Sequence, residues 1–283
     1  MTIKSIIKLV TPPLLLELGK SLRGRWRRRG VEWEYVPAGW RGTLTKPEAR
    51  GWNVRSVLDT YKRKWPAFVQ RLQGPGPFAA SPESPSSEQT DLVFHNSMMV
   101  YAYALALAAR CKRRIAMLDW GGGIGHYYLM STTLVPDLEI EYHCRDLPIL
   151  AQHGQSLFPQ AHFYSDDACL TRSYDFVLAS ASLHYMEDWL GLLKQLQRVT
   201  AGYLLVTRLP VVVACPSFVF VQRPYQYGYD TEYLGWCLSR SEFLNAAVEN
   251  DLVLVREFIT GERPTIHRAP GQCEYRGFLF RAR

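Results

Sequence analysis

The sequence predicts an α/β fold with a mostly parallel sheet. Three observations carry that prediction. A buried apolar run, Ile115-Ala116-Met117-Leu118, ends in Asp119 and a glycine turn, Gly121-Gly122-Gly123-Ile124-Gly125. Beyond it, strand-like runs alternate with helical patterns, which gives parallel strands joined by right-handed crossovers. The chain has 283 residues and is 47% hydrophobic, enough for a core and too apolar for disorder.

Residues 1–30 form a basic arm. They hold eight basic residues (Lys4, Lys8, Lys20, Arg23, Arg25, Arg27, Arg28, Arg29) against Glu17, so the whole net charge of +7 sits there. Short apolar stretches, Ile6-Ile7 and Leu14-Leu15-Leu16, flank the charges. That combination suits an anionic membrane surface, where each basic residue contributes about 1 kcal/mol. Prolines break the apolar run and no small-residue cleavage site follows, which argues against a signal peptide. Arg-rich runs also bind phosphate, but no specific nucleic-acid reader motif accompanies them. No apolar run approaches the ~20 residues that span a bilayer.

Residues 31–90 form an N-terminal helical region with helix over Val57–Tyr61 and Trp65–Leu72. Its four tryptophans, Trp33, Trp40, Trp52 and Trp65, are expected in the core. A Pro/Ser-rich connector, residues 74–87, closes the region.

Residues 91–283 form the main domain. After the glycine turn comes a second strand, Leu138–Cys144, ending at Arg145-Asp146-Leu147. An acid roughly 20 residues beyond the glycines is placed to accept ribose hydroxyls, a role for Asp146 with Leu147 beside it. A third strand, Ala161–Tyr164, runs into Ser165-Asp166-Asp167. The fourth, Tyr174–Ser180, ends at Ser180 and opens onto the loop Ala181-Ser182-Leu183-His184-Tyr185. A helix from Trp189 to Val199 leads to a fifth strand, Tyr203–Thr207. Asp251–Phe258 and Tyr275–Phe280 supply the last two. An insertion over 209–239, rich in Phe and Tyr, leaves the fifth strand at its C-terminal end and is a candidate cap.

The glycine spacing discriminates among ligands. A dinucleotide turn needs G-x-G-x-x-G, and the sixth position here is His126. No Gly-Lys-Ser/Thr follows, so it is not a phosphate loop. The pattern D-x-G-x-G-x-G, Asp119 to Gly125, resembles the first motif of class I S-adenosylmethionine-dependent methyltransferases. A further series, Leu92-Val93-Phe94, Leu183-His184-Tyr185-Met186-Glu187-Asp188, Thr207-Arg208-Leu209-Pro210 and Tyr233-Leu234-Gly235-Trp236-Cys237, is similar to a little-characterised bacterial family assigned as methyltransferases and often encoded near surface-polysaccharide genes. The chain departs from that family where an acid is expected near His95 and a Gln near His184.

The resemblance implies a Rossmann-like, seven-stranded, mostly parallel sheet with an antiparallel edge and N-terminal helices over the cofactor. It implies S-adenosyl-L-methionine at Asp119, Gly121, Gly122, Gly123, Gly125, Asp146, Leu147 and Ser180, with Asp166 or Asp167 at the adenine amino group. Asp119 suits the cationic sulfonium and the amino group. Methyl transfer is an in-line displacement, so the protein must align the acceptor and exclude water. A hydroxyl acceptor must also lose its proton, and His184 is the expected base. Arg208 is expected to hold an anionic group of the acceptor.

The six cysteines show no C-x-x-C pair and no zinc spacing, so no metal is expected. The reading is O-methylation of a saccharide or lipid-linked acceptor by a cytoplasmic enzyme, peripheral at the inner membrane face. Two alternatives stand beside it: a small-molecule natural-product methyltransferase, and an inactive cofactor-binding scaffold of a polysaccharide-assembly complex.

Overall fold

The computed structural model describes residues 31–41, 51–78 and 92–283. The basic arm, residues 1–30, and the later part of the Pro/Ser connector lie outside the described residues.

The elements follow in chain order. β1 is Trp33–Tyr35, α1 Arg55–Gln73, α2 Leu92–Ala109, β2 Arg114–Trp120, α3 His126–Leu134, β3 Glu139–Arg145, α4 Pro148–Leu157 and β4 His162–Tyr164. Then come β5 Tyr174–Ser180, α5 Trp189–Val199, β6 Thr200–Val212, β7 Phe218–Gln222, β8 Tyr233–Ser239, α6 Arg240–Glu249, β9 Leu252–Ile259 and β10 Glu274–Ala282.

β4, β3, β2, β5 and β6 lie side by side and parallel. β10 runs antiparallel between β6 and β9. β2 and β5 are apolar and buried because helices cover both faces of this part of the sheet. α2, α3 and α1 pack on one face around Tyr101, Met117 and Phe176. α5 and α6 pack on the other around Val177, Leu193 and Phe243. α2 is long and apolar enough to resemble a membrane span, yet Met98, Tyr101, Ala104 and Leu105 are packed against the sheet. It is the core helix of one layer.

Two expectations need correction. Among the described residues the sheet has ten strands rather than seven. β6 outruns β5: its first part pairs with β5 as far as Thr207, and Val211 and Val212 then pair with β8. β8 is antiparallel to β7, and β7 to β1. Residues 209–239 therefore continue the sheet instead of forming a separate cap. The N-terminal helix is one element: α1 runs through Pro66 and joins the two stretches expected separately.

At the overrun the pairing slips. Val206 faces Phe278 and Leu209 faces Arg276, so Thr207 and Arg208 together oppose Gly277. This is a β-bulge, which bends the strand and re-aims a side chain. Arg208 carries a left-handed φ of 49° there. β9 pairs only with β10 among the described residues and exposes Leu254, Val255 and Ile259.

Gly202 shows how tightly β6 enters the sheet. A Cβ there would lie 2.3 Å from the Asp175 carbonyl oxygen, a backbone atom that cannot swing aside. Gly202→Ala is expected to cost about 1–3 kcal/mol, measured as a lower urea midpoint at unchanged m-value.

Candidate functional site

A cavity of about 620 Å³ opens at the C-terminal ends of β2, β3 and β5 and at the bulge in β6. That is where an α/β sheet of this kind holds ligands. Its wall is drawn from three regions: the ends of the parallel strands, the N-terminal segment with α1, and the β7–β8 extension.

The glycine turn builds the floor. Gly121 and Gly123 adopt φ of 76° and 63°, which glycine enters without a Cβ penalty. A Cβ on Gly121 would lie 2.4 Å from Ser182 Cβ, and one on Gly123 3.4 Å from the Tyr61 hydroxyl oxygen. The turn is thus clasped by the loop after β5 on one side and by α1 on the other. α1 also reaches the β7–β8 connection, where the Thr60 hydroxyl donates to Gly228 O at 3.4 Å.

Asp146 stands at the end of β3, buried but on the cavity wall. Its carboxylate accepts from Gly123 N at 2.7 Å and from Leu147 N at 2.6 Å. The same side chain therefore fixes the glycine turn and faces the cavity. Leu147, Gly121 and Ser180 also line it. The Arg145 guanidinium lies 4.6 Å from the centre of the Trp120 ring, and both residues face the cavity.

Asp119 is placed differently from expectation. It is fully buried beneath the turn and is not a wall residue. A Cβ on Gly122 would come within 2.3 Å of Asp119 Oδ2. Tyr142 donates to Oδ2, and Oδ1 has no partner among the described residues. Burial pushes the carboxyl up to about 7; the Asp146 charge adds to the rise and the Tyr142 bond opposes it.

Asp166 and Asp167 are a second correction. Neither lines the cavity. Asp166 caps a short 3₁₀ turn by accepting from Ala168 N at 3.0 Å, and Asp167 pairs with Arg145 at 3.2 Å.

His184 is a third. It lies in the 3₁₀ turn Leu183–Tyr185, which aims Tyr185 into the cavity and His184 away from it. Its ring is fully buried against Tyr185, Phe220 and Tyr275, and neither nitrogen has a partner among the described residues. Burial, with the Arg208 charge beside it, holds its pKa well below the ordinary value. In this arrangement it cannot reach an acceptor proton.

Arg208 does line the cavity, set there by the bulge. Ala181, at the end of the neighbouring strand, also lines it and also has a φ of 49°. Two non-glycine residues in left-handed conformations thus share one wall. Trp33, Trp40, Trp52, Tyr61, His126 and Glu262 are wall residues that the sequence did not flag. The only available signal was the tryptophan density before residue 66, which reads equally as core.

Away from the cavity, Glu141, His143 and His162 bring three ligand-type atoms within 4.8 Å of one another. Arg172 already pairs with Glu141 at 2.6 Å and lies 3.1 Å from His143 Nε2. This cluster is a charge network with its own cation.

The buried carboxyl of Asp119 gives a pH signature. Its folded pKa lies above its ordinary 3.8, so between the two values the native state holds the proton more tightly than the unfolded chain. Its contribution to stability is full below about pH 4 and is lost as pH rises to about 7. Asp119→Asn is expected to flatten that fall, checked by urea unfolding of both proteins at pH 4.5, 5.5 and 6.5.

No family model matches the sequence, and no curated protein matches it. Solved structures do match in shape. A protein from Galdieria sulphuraria assigned as a sarcosine dimethylglycine methyltransferase is 16% identical, with 79% of this chain and 98% of that one covered at a TM-score of 0.50. An S-adenosylmethionine-dependent methyltransferase from Clostridium acetobutylicum is 10% identical, covering 66% and 91% at 0.45. The Burkholderia thailandensis 1,6-didemethyltoxoflavin-N1-methyltransferase, solved with S-adenosylhomocysteine and its substrate, is 16% identical, covering 66% and 79% at 0.43. The first of these carries the conclusion on architecture: the chain shares the fold of that methyltransferase.

Proposed function

We propose that the protein is an S-adenosylmethionine-dependent methyltransferase acting on a hydroxyl of a small acceptor. The observation that carries this reading is Asp146. A buried carboxylate beside a bare glycine turn, at the C-terminal crevice of a methyltransferase fold, suits ribose hydroxyls.

The other residues fit the same ligand. Gly121 offers backbone without a Cβ, and Leu147 and Leu150 give an apolar strip beside Asp146. The Asp119 carboxyl, whose Oδ1 has no partner among the described residues, lies under the turn and supports it from below. Bound S-adenosylmethionine supplies a methyl group already activated on a sulfonium.

The chain's own residues then have two tasks. α1 and the β7–β8 extension wall the cavity and keep water from the reacting pair. Arg208 stabilises negative charge developing on the acceptor oxygen. Glu262 and Asp146 are the carboxylates on the described wall. His184, the expected base, faces away from the cavity and does not take the acceptor proton.

The resemblance in sequence favours a saccharide or lipid-linked acceptor. The arm of residues 1–30, with eight basic residues against one acid, supports a cytoplasmic location at an anionic membrane surface. A scaffold without catalysis is the alternative that single-turnover methyl transfer excludes.

Calorimetry on nucleoside-free protein tests the reading. S-adenosylhomocysteine is expected to bind, and Asp146→Ala to weaken it by about 10- to 100-fold, the scale of a lost charged hydrogen bond. No binding by the wild-type protein would sink the proposal. Arg208→Ala is expected to lower kcat about 100-fold while leaving affinity for S-adenosylhomocysteine unchanged, read by initial rates at saturating cofactor.

A further inference from the structure

α2 is unusual for a helix at the surface of a domain. From Leu92 to Ala109 it carries no Asp, Glu, Lys or Arg. Its inner face is accounted for by the sheet, against which Met98, Tyr101 and Leu105 pack. The outer face is apolar as well. Leu92 is 66% exposed, Met99 39% and Tyr103 42%, and Ala106 is exposed beside them. The intervals between these four positions return to the same side of a helix, so they form a single stripe. A surface helix of a folded domain ordinarily turns charged side chains outward. This stripe offers water none.

β9 lies along one flank of the stripe. The Phe258 ring stands 5.6 Å from that of Tyr103, and Asn96 Nδ2 donates to Thr260 O at 3.2 Å. β9 therefore runs antiparallel to α2, and Arg256 falls beside the C-terminal half of the helix. Arg256 pairs in register with Leu279, and Arg281 with Tyr203. Leu279 and Tyr203 belong to the α2 layer, and residues directly opposite in an antiparallel pair share a face. Both arginines therefore emerge on the α2 side, exposed. Arg110 continues the stripe just past the helix, and Arg113 follows, also exposed. Lys112 and Arg114 close by pair with Asp175 and Glu141, whereas these four arginines are in no ion pair among the described residues.

An uncharged apolar stripe bordered by basic residues has the chemistry that an anionic lipid surface takes. The apolar side chains enter the acyl boundary, and the guanidinium groups meet the headgroups. A second copy of the chain fits less well. Glu257, the acid of β9, lies opposite Phe278 on the other face of the sheet, where Arg240 and Arg276 hold it. A two-fold contact would thus set basic border against basic border. α2 lies along such a surface rather than crossing it, since its inner face is committed to the core.

We infer that the outer face of α2, with Arg110, Arg113, Arg256 and Arg281, docks the protein on an anionic membrane. α2 starts at the cavity, where Val93 and Phe94 form part of the wall. A molecule held in the membrane plane therefore reaches the mouth along the stripe. The surface stands independently of the reaction; its use in taking up a lipid-linked acceptor rests on the methyltransferase reading.

Co-sedimentation of the full-length protein with vesicles is the test, one set of phosphatidylcholine alone and one of phosphatidylcholine with phosphatidylglycerol. The protein is expected to bind the mixed vesicles at least about tenfold more tightly than the neutral ones. Met99→Glu/Tyr103→Glu is expected to weaken that binding about tenfold or more, and Arg256→Gln/Arg281→Gln by a similar factor. Tyr103→Trp, which keeps an interfacial ring, is expected to stay within about threefold of wild type. A cooperative urea transition shows that each variant is folded. Equal binding to both vesicles, binding to neither, or binding that either double variant leaves unchanged overturns the inference. A dimer that Met99→Glu/Tyr103→Glu dissociates, with no vesicle binding, overturns it in favour of a second copy on this face. Vesicle binding without S-adenosylhomocysteine binding in calorimetry would instead remove the methyltransferase reading and leave the surface standing.

Discussion

The pairing of β6 with β10 holds both halves of the molecule together. Along its first part β6 is an interior strand of the parallel sheet; along its last part it carries β8, and through β8 the strands β7 and β1. The bulge at Thr207–Arg208 lies at the junction. Side chains alternate faces along a strand, so one extra residue inverts the alternation beyond it. The residues from Leu209 onward are therefore in register with the outer strands, while those up to Val206 are in register with the inner ones. Arg208 is the residue left over, and it faces the cavity.

Two acids only a strand apart illustrate how environment sets role. Asp119 and Asp146 end neighbouring parallel strands, yet one is sealed under the glycine turn and the other holds the turn from the wall side. Desolvation favours the protonated form of the first. Two backbone N–H groups, of Gly123 and Leu147, donate to the second. The turn is thus bonded to a carboxylate on one side and rests on a carboxyl with a raised pKa on the other.

Much of this architecture was legible because buried parallel strands announce themselves as short apolar runs. β2, β3 and β5 fall where those runs fall, and the Asp146 position follows from spacing along the chain. The overrun of β6 was not legible, because Pro210 reads as a strand terminator. In the fold Pro210 falls in the gap after β5 stops pairing at Thr207 and before β8 begins at Val211, where a missing N–H costs little. His184 was placed on the correct loop with the wrong direction, since a single 3₁₀ turn decides whether it or Tyr185 faces inward. The wall tryptophans were indistinguishable from core residues, because a ring that braces a pocket buries nearly as much surface as one that fills a core.

β9 carries a different consequence. Its sequence, Leu252-Val253-Leu254-Val255-Arg256-Glu257-Phe258-Ile259, is apolar at six of eight positions, and its outer edge has no neighbour among the described residues. Such a border invites stray chains to add on, as in the early steps of fibril growth. Arg256 interrupts it at mid-length, exposed. A charge at that place is of the gatekeeper kind: an intruding strand would have to strip away its water.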